Sequence, residues 1–368
     1  MGRRTFRGLL RETPEPAVRQ SHRPWQKNPN SIPDFSIVIE TENLSRAPSE
    51  DLTRCLESLA KRDISPAHAR EVILVESGDA PDAFLQQLRH QYSWLTVHRM
   101  DQAVGYYEAK MEGVRRVTGD VVVFCDSDCW YPRHWLGEML RGFSSRPEIQ
   151  ALAGETRLRM TGPFSLAIAL TWGFPTLSKR KEIYKKARYA TNNVAYKRSF
   201  LMKHPIPDVP SLYRVKCTLH AFELRNKGYP IWRNDQAWNI HSLPAKTFKE
   251  FIWRYMVAGY DSWMWDRLSR RESSDRRPRI GYLRDLISFI GFTVHWLWRP
   301  LIKIPRSVSE DPHRILYLPL ALPIAALGIL FYMMGFILTL FLPRFLFEHG
   351  IRKLERNPWA DGQIHASG

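Results

Sequence analysis

Residues 118–132, TGDVVVFCDSDCWYP, contain the pattern that decides the fold. The apolar run 121–124 is continuous and β-rich, which is typical of a strand buried on both faces of a sheet. Asp126 and Asp128 follow it at once. Carboxylates just past the end of a buried strand lie where α/β sheets bind ligands, and they are costly to bury without a cation or hydrogen-bond donors. The pattern predicts a site for Mg²⁺ or Mn²⁺ and a diphosphate; an acidic strand-end turn or helix cap is the alternative.

The chain upstream alternates short apolar runs with helical patterns. Strands are expected at residues 35–39, 71–75 and 95–98, and helices from Ser49, over 82–92 and over 105–117. This alternation predicts an α/β, Rossmann-like domain with a mostly parallel sheet. Polar residues follow two of these strands, at 40–43 and 76–79, so the strand ends should form one polar edge with Asp126 and Asp128.

Composition narrows the class of partner. The 368 residues include 54 Lys plus Arg against 37 Asp plus Glu, a net charge of +17. This excess suits an anionic membrane surface or phosphate-bearing substrates. The chain shows no zinc finger, RNA-binding signature or basic heptad array, so nucleic acid is not expected as a partner. The four cysteines show no metal-binding spacing and fit reduced thiols in the cytosol.

The two ends of the chain differ in character. Residues 1–33 are basic and rich in Pro, Asn and Ser, which predicts a flexible arm, and they lack the apolar core of a signal peptide. The folded α/β domain is expected at 34–245, in the cytoplasm. A further region at 246–280 is rich in aromatic residues and is interpreted either as a core helix or as an interfacial helix.

A membrane-associated region is expected at residues 281–348, followed by a tail at 349–368. Residues 315–342 contain no charged residue over more than the roughly 20 residues needed to cross a bilayer. They predict a transmembrane helix, with a buried helix of a soluble protein as the alternative. Charged residues interrupt 283–304, which is interpreted as interfacial or transmembrane. The expected location is the cell membrane.

The order of these motifs resembles the family 2 glycosyltransferases of the GT-A fold. Their first half reads approximately strand–PTYN, strand–VDDGS, NxGxxxARNxG and GDxxxFLDSDD. Here Gly105, Ala109 and Gly113 match the third element, and residues 119–128 match the fourth. The resemblance covers residues 35–241. It implies a membrane-anchored enzyme that takes a hexose-type sugar from a UDP- or GDP-linked donor, with Mg²⁺ or Mn²⁺ as cofactor and inversion at the anomeric carbon.

The resemblance also implies roles for single residues. Asp126 would contact ribose and metal, Asp128 would bind the metal directly, and His241 fits a family histidine near the metal or diphosphate. Gly105 would allow close backbone approach, and Lys110 would face the diphosphate. The other residues implied in donor binding are Glu40, Thr41, Asn43, Glu76 and Asn193.

The second half departs from the family pattern at the catalytic base. Lys216 and Cys217 stand where the family has Glu and Asp. Glu223 and His220 lie in the same predicted helix and are candidate substitutes, although both also fit an ordinary structural role. A phosphate acceptor, as in polyprenyl-phosphate sugar transfer, would need little help from a base.

The predicted function is sugar transfer to a lipid-linked or growing surface glycan. Two alternatives stay open. One is a nucleotidyl- or phosphotransferase that uses the same acidic pair. The other is a catalytically silent GT-A membrane protein that binds nucleotide sugar as a scaffold for polysaccharide assembly.

Overall fold

The computed structural model describes residues 32–41, 49–77, 80–100, 105–178, 180–273, 281–342 and 344–351. Within them, nine strands form one sheet. The strands are β1 Phe35–Glu40, β2 Val72–Glu76, β3 Leu95–Arg99, β4 Val121–Asp126, β5 Cys129–Trp130, β6 Ala151–Leu158, β7 Tyr184–Lys186, β8 Asn193–Lys197 and β9 Ile231–His241. The helices are α1 Ser49–Ala60, α2 Asp82–Gln91, α3 Tyr106–Arg116, α4 Trp135–Ser145, α5 Pro163–Thr171, α6 Arg198–Lys203, α7 Lys216–Asn226, α8 Phe248–Ser273, α9 Gly281–Glu310 and α10 Leu318–Phe341.

The predicted α/β fold is confirmed, with a mixed sheet. Strands β3, β2, β1 and β4 are parallel neighbours in that order. Strand β8 then pairs antiparallel with β4 and with β6, while β6 and β9 are parallel. The expectation of a mostly parallel sheet therefore holds for the first four strands. It also holds for β6 and β9, which run in the same direction as these four, whereas β5, β7 and β8 run in the opposite direction.

Strand alternation divides the core between the two faces of the sheet. Ile37 and Ile39 of β1 pack with residues of α1, α2 and α4, whereas Val38 packs with residues of α3, α6 and α7. Successive side chains on a strand point to opposite faces, so a strand covered on both sides is apolar throughout. Burial on both faces of the sheet therefore explains why the apolar runs of the sequence are continuous.

The C-terminal helices pack against the α/β domain. Phe251 and Tyr255 of α8 form a core with Ile168 of α5, Trp296 of α9 and Tyr332 of α10. Helix α8 is therefore largely a core helix, which favours the first of its two predicted interpretations. Residues 1–31 and 352–368, most of the predicted arm and most of the predicted tail, lie outside the described residues.

One apolar helical segment stands out. Pro312–Phe341 is long and apolar enough to cross a bilayer by length and composition, with 39% of its most apolar window buried in the protein. Its buried side packs on α5 and α8. Its other side exposes large apolar side chains, among them Leu320, Leu330, Met334, Ile337 and Phe341.

Candidate active site

The acidic pair lies where the order of the strands changes direction. Strands β1, β2 and β3 extend to one side, and β4 adds to the other side of β1. Glu40 at the end of β1 is in register with Asp126 at the end of β4. A crevice between neighbouring strands at such a switch point is the usual ligand site of an α/β sheet. The predicted polar edge is therefore present.

Asp126 is buried and held by donors from α3. Its carboxylate accepts a hydrogen bond from the Tyr106 hydroxyl at 2.9 Å and forms an ion pair of 2.7 Å with Lys110 Nζ. Burial lowers the pKa of Lys110, but the carboxylates of Asp126 and Glu40 outweigh it and hold that pKa above its ordinary value. Lys110 is therefore a buried cation that orients Asp126. Its charge does not face the cleft, contrary to its predicted contact with the diphosphate.

Asp128 lies beside His241, which the chain supplies from the end of β9. His241 Nε2 is 3.6 Å from Asp128 Oδ1. Burial raises the pKa of Asp128, opposed by His241 and reinforced by Asp126. One ligand atom each from Asp126, Asp128, Cys129 and His241 lies within 4.8 Å of the others.

This ligand set fits a divalent metal. The carboxylate oxygens of Asp126 and Asp128 suit Mn²⁺ or Mg²⁺, the imidazole nitrogen of His241 is a softer ligand, and the Cys129 sulfur is too soft for either ion. Burial raises the pKa of the Cys129 thiol well above its ordinary value, which also favours the protonated form. Asp126, Asp128 and His241 are thus the residues that could hold the ion.

A cleft of about 640 Å³ extends from the acidic pair to the C-terminal helices. Its wall includes residues of α8 and α9, and also Trp172, Gly173, Phe174, Thr176, Thr191 and Asn192. The volume lies within the range typical of small-molecule sites. The cleft has room for a substrate much larger than a metal ion.

Two arginines that the sequence analysis did not single out also face this cleft. Arg214 lies with its guanidinium 4.8 Å from the ring centre of Tyr106. Arg254 of α8 also lines the cleft, and its Nε is buried without a hydrogen-bond partner among the described residues. Burial lowers the pKa of Arg254, and the charge of Asp128 acts in the opposite direction. Both arginines place positive charge near the acidic pair.

Asn193, predicted to bind the donor, is occupied inside the protein. Its side chain accepts a hydrogen bond from Trp135 Nε1 and donates to the carbonyl oxygens of Glu155 and Ala237. An amide has few remaining hydrogen bonds after these three. Its neighbour Asn192 lines the cleft instead. Asn193 does not bind the donor as predicted, because β8 directs its side chain toward the interior of the protein.

The other predicted donor residues lie at the ends of β1 and β2. Glu40 and Thr41 are buried, and the Thr41 hydroxyl accepts a hydrogen bond from Ser77 N. Glu76 is buried and pairs with Arg99 at 2.8 Å. A Cβ atom at Gly105 would meet no atom within 4 Å, so no contact among the described residues requires glycine there. Asn43 lies outside the described residues.

The two candidate bases on α7 do not line the cleft. His220 is buried and hydrogen-bonds to the Tyr189 hydroxyl at 2.7 Å and the His204 carbonyl at 2.9 Å. Burial lowers its pKa to about 4. Glu223 lies one turn further along α7, also outside the cleft lining. Their placement supports structural roles and gives neither residue access to a substrate in the cleft.

A carboxylate from α8 lies at the start of α7 instead. The Asp261 side chain accepts hydrogen bonds from Tyr213 N at 2.8 Å and Arg214 N at 2.9 Å. Burial raises its pKa to about 6, against the lowering effect of these two amides. Lys216, in the position where the resemblance leads one to expect an acidic residue, pairs with Asp208 at 2.9 Å.

A match to a protein-family model identifies the class of the protein. Residues 36–204 match the family model described as Glycosyl transferase family 2. Residues 36–204 are therefore a family 2 glycosyltransferase domain, the α/β domain has the GT-A fold, and the protein is a glycosyltransferase.

Individual relatives agree with this assignment. Glycosyltransferase AglE of Haloferax volcanii is 23% identical over 288 residues, which cover 76% of this chain and 89% of the relative. Probable N-acetylgalactosaminyltransferase 9 of Caenorhabditis elegans is 24% identical over 197 residues, 49% of this chain and 33% of the relative. The mannosyltransferase PcManGT from Pyrobaculum calidifontis, solved with GDP-Man and Mn²⁺, superposes with a TM-score of 0.56 at 15% identity. That superposition covers 88% of this chain and 92% of the other, and it shows a shared fold.

Proposed function

We propose that the protein transfers a hexose-type sugar from a UDP- or GDP-linked donor to a lipid-linked or surface-glycan acceptor at the cytoplasmic face of the cell membrane. The observation that carries this proposal is the arrangement of Asp126, Asp128 and His241 at the inner end of a large cleft. The donor of the structural neighbour, GDP-Man with Mn²⁺, supports a nucleotide sugar and a divalent cation.

The site supports cleavage of the bond between the sugar and the diphosphate. A divalent cation held by Asp126, Asp128 and His241 would supply positive charge to the diphosphate. Arg214 and Arg254 line the same cleft and would stabilise the charge that builds on the leaving group as the sugar C1–O bond breaks. Hydrogen bonds from Lys110 and Tyr106 fix the orientation of the Asp126 carboxylate. Direct displacement at C1 would invert the anomeric carbon.

Membrane association is supported by the outer surfaces of α9 and α10. Large apolar side chains are exposed along both helices, for example Ile290, Leu297 and Leu330 at 52%, 54% and 50%. An exposed apolar surface of this extent is typical of a membrane or protein contact. At 1.5 Å per residue, α10 is about 36 Å long, enough to cross the hydrocarbon core.

Donor turnover by the purified, detergent-solubilised protein tests the proposal. UDP- and GDP-sugars are supplied singly with Mn²⁺ or Mg²⁺ and membrane lipid extract, and release of nucleoside diphosphate is measured. We expect one donor to be turned over, and proton NMR of the product to show the inverted anomer. Tight donor binding without release under all these conditions would favour the silent scaffold. Turnover that releases pyrophosphate or a nucleoside monophosphate would favour a nucleotidyl- or phosphotransferase.

A further inference from the structure

Helix α9 presents a row of basic side chains to the cleft. His295, Arg299, Lys303 and Arg306 follow one another at intervals of four, four and three residues and all line the cleft. Residues at this spacing lie on one face of a helix. Arg188, in the loop before β8, lines the same part of the cleft. We call Arg188, Arg299 and Lys303 the α9 cation cluster.

The cation cluster has no acidic partner among the described residues. Arg299 Nη1 donates to the Thr171 carbonyl at 3.0 Å, and Lys303 Nζ donates to the carbonyls of Ala169 and Trp172 at 2.8 and 2.6 Å. These carbonyls at the end of α5 attract cations but carry no full charge. Placing several like charges together in a partly buried site is unfavourable unless an anion joins them. The cluster is therefore suited to an anionic ligand.

The opposite side of the same helix is apolar and exposed. Leu286, Ile290, Val294, Leu297 and Leu301 recur at helical spacing with exposed fractions between 51% and 59%. Such a helix places an apolar face against lipid while its basic face remains in a polar site. A ligand that combines an anionic head with an apolar chain would satisfy both faces of α9.

We propose that the α9 cation cluster binds the phosphate of a lipid monophosphate, and that this lipid is the acceptor. This inference rests on the proposed function and specifies its acceptor. The phosphate occupies the cleft near Arg188, Arg299 and Lys303, and the lipid chain leaves along the apolar face of α9.

The chemistry of this acceptor agrees with the missing base. A phosphate oxygen of the dianionic lipid phosphate forms a bond to sugar C1, and the C1–O bond to the nucleoside diphosphate breaks with its electron pair. The products are a glycosyl lipid phosphodiester and a nucleoside diphosphate, and no proton has to be removed. The reaction then needs no catalytic base. It is therefore not impaired by Lys216 and Cys217 in place of an acidic pair, or by the hydrogen bonds that Asp261 accepts from two backbone amides.

Binding of farnesyl phosphate to the full-length protein in detergent tests the site directly. Farnesol supplies the same chain without the phosphate, and inorganic phosphate supplies the anion without the chain. We expect farnesyl phosphate to bind at least about tenfold more tightly than either, since farnesol lacks the charge-assisted hydrogen bonds of the phosphate and inorganic phosphate lacks the apolar chain. Equal binding of farnesol, or of inorganic phosphate, would overturn the proposal.

Variants localise the effect. Arg188→Gln and Arg299→Gln should each weaken farnesyl phosphate binding about tenfold, because each removes one charged partner. Arg141→Gln, an exposed arginine of α4 paired with Glu138, is the matched control and should bind as wild type. With the donor found by the turnover screen, mass spectrometry should show sugar-phosphofarnesol. Donor turnover on another acceptor without this product would overturn the acceptor assignment and leave the proposed function intact.

The two proposals fail separately. If no donor is turned over, the proposed function fails, while farnesyl phosphate binding is still measured on its own. If the donor is turned over but Arg188→Gln and Arg299→Gln bind farnesyl phosphate as wild type does, the cation cluster is not the phosphate site.

Discussion

Basic side chains near the acidic pair differ in whether the protein itself neutralises them. Lys110 is fully buried and pairs with Asp126 at 2.7 Å, so its charge is neutralised within the protein. Arg254 lines the cleft with a buried, unpartnered Nε among the described residues. A buried donor left without an acceptor costs free energy unless a ligand supplies one. This contrast leads us to expect that Arg254 contacts the substrate.

Replacing Arg254 tests this assignment. Arg254→Gln should lower kcat for donor turnover by roughly 10²-fold, which is typical for loss of one group that stabilises developing charge. Arg267→Gln is the matched control, because Arg267 lies on the same helix against Trp263 and outside the cleft lining. Steady-state release of nucleoside diphosphate is the measurement. An unchanged kcat in Arg254→Gln would contradict the assignment.

The sequence identified the acidic pair but not its surroundings. A DxD after a buried strand is a local pattern, so Asp126 and Asp128 could be placed from the sequence alone. The role of Lys110 depends on how α3 packs against β4. Which of Asn192 and Asn193 faces the cleft depends on the direction of β8. Arg254 lies on a helix more than a hundred residues after Asp128, and only the tertiary fold brings it to the cleft. The aromatic-rich sequence around Arg254 indicated a helix but did not indicate that Arg254 lines the cleft.

At the scale of elements, α8 connects the cleft to the C-terminal helices. Its Asp261 holds the backbone before α7, and its Gly259 lies against α10. Periodicity predicted the helix and left open whether it is buried, because aromatic residues suit a core and a membrane interface equally well. In the structure, α10 packs on one side of α8 and the cleft lies on the other, so α8 is a buried helix.

Asp261 should make stability depend on pH. Its folded-state pKa of about 6 lies above the unfolded value of about 4, so the folded state binds the proton more tightly. The resulting stabilisation is complete below pH 4 and is lost as pH rises to about 6, a change of up to about 3 kcal/mol. Denaturant unfolding between pH 4 and 7 should show this loss in the wild type and a smaller one in Asp261→Asn. Glu57→Gln, an exposed carboxylate of α1, should behave as the wild type. Identical slopes for all three proteins would contradict the expectation.

The contact between α8 and α10 depends on glycine. A Cβ atom at Gly335 of α10 would lie 2.1 Å from the Met256 carbonyl oxygen of α8, so Gly335→Ala must push the helices apart. We expect it to destabilise the protein by about 1–3 kcal/mol, the usual cost of overpacking. Gly291→Ala in α9 meets nothing within 4 Å and should be neutral or stabilising by up to about 1 kcal/mol. Thermal unfolding in detergent measures both variants. A Gly335→Ala protein as stable as wild type would contradict the close contact.

For the whole molecule, the expected arrangement is an α/β domain with its cleft bordered by helices that contact lipid. The sequence indicated the apolar segment from its lack of charge, because a long uncharged run is a local property. It left the geometry of 283–304 open, since that run alternates apolar and basic residues. In the structure this run is part of a single helix, α9. The alternation arises because one face of α9 is apolar and exposed and the other is basic and faces the cleft.

Thiol labelling in proteoliposomes tests the lipid contact. All four native cysteines are buried, so an introduced cysteine should dominate the reaction. Leu297→Cys on α9 and Leu330→Cys on α10 should resist a membrane-impermeant maleimide, because lipid covers both positions. Met202→Cys on α6, which is also exposed, should react quickly. After denaturation all three should react alike. Labelling of Leu297→Cys as fast as that of Met202→Cys in intact vesicles would contradict the arrangement.

The most direct test of the central claim is metal-dependent donor turnover by Asp128→Asn beside the wild type. With the donor found by the screen, the wild type should release nucleoside diphosphate with Mn²⁺ or Mg²⁺ and stop when EDTA removes the ion. Asp128→Asn should lose roughly 100-fold or more of this rate, because the carboxylate that would hold the ion beside His241 is gone. Glu57→Gln should retain full activity. Turnover that survives both EDTA and Asp128→Asn would contradict a metal-assisted glycosyltransferase built on this acidic pair.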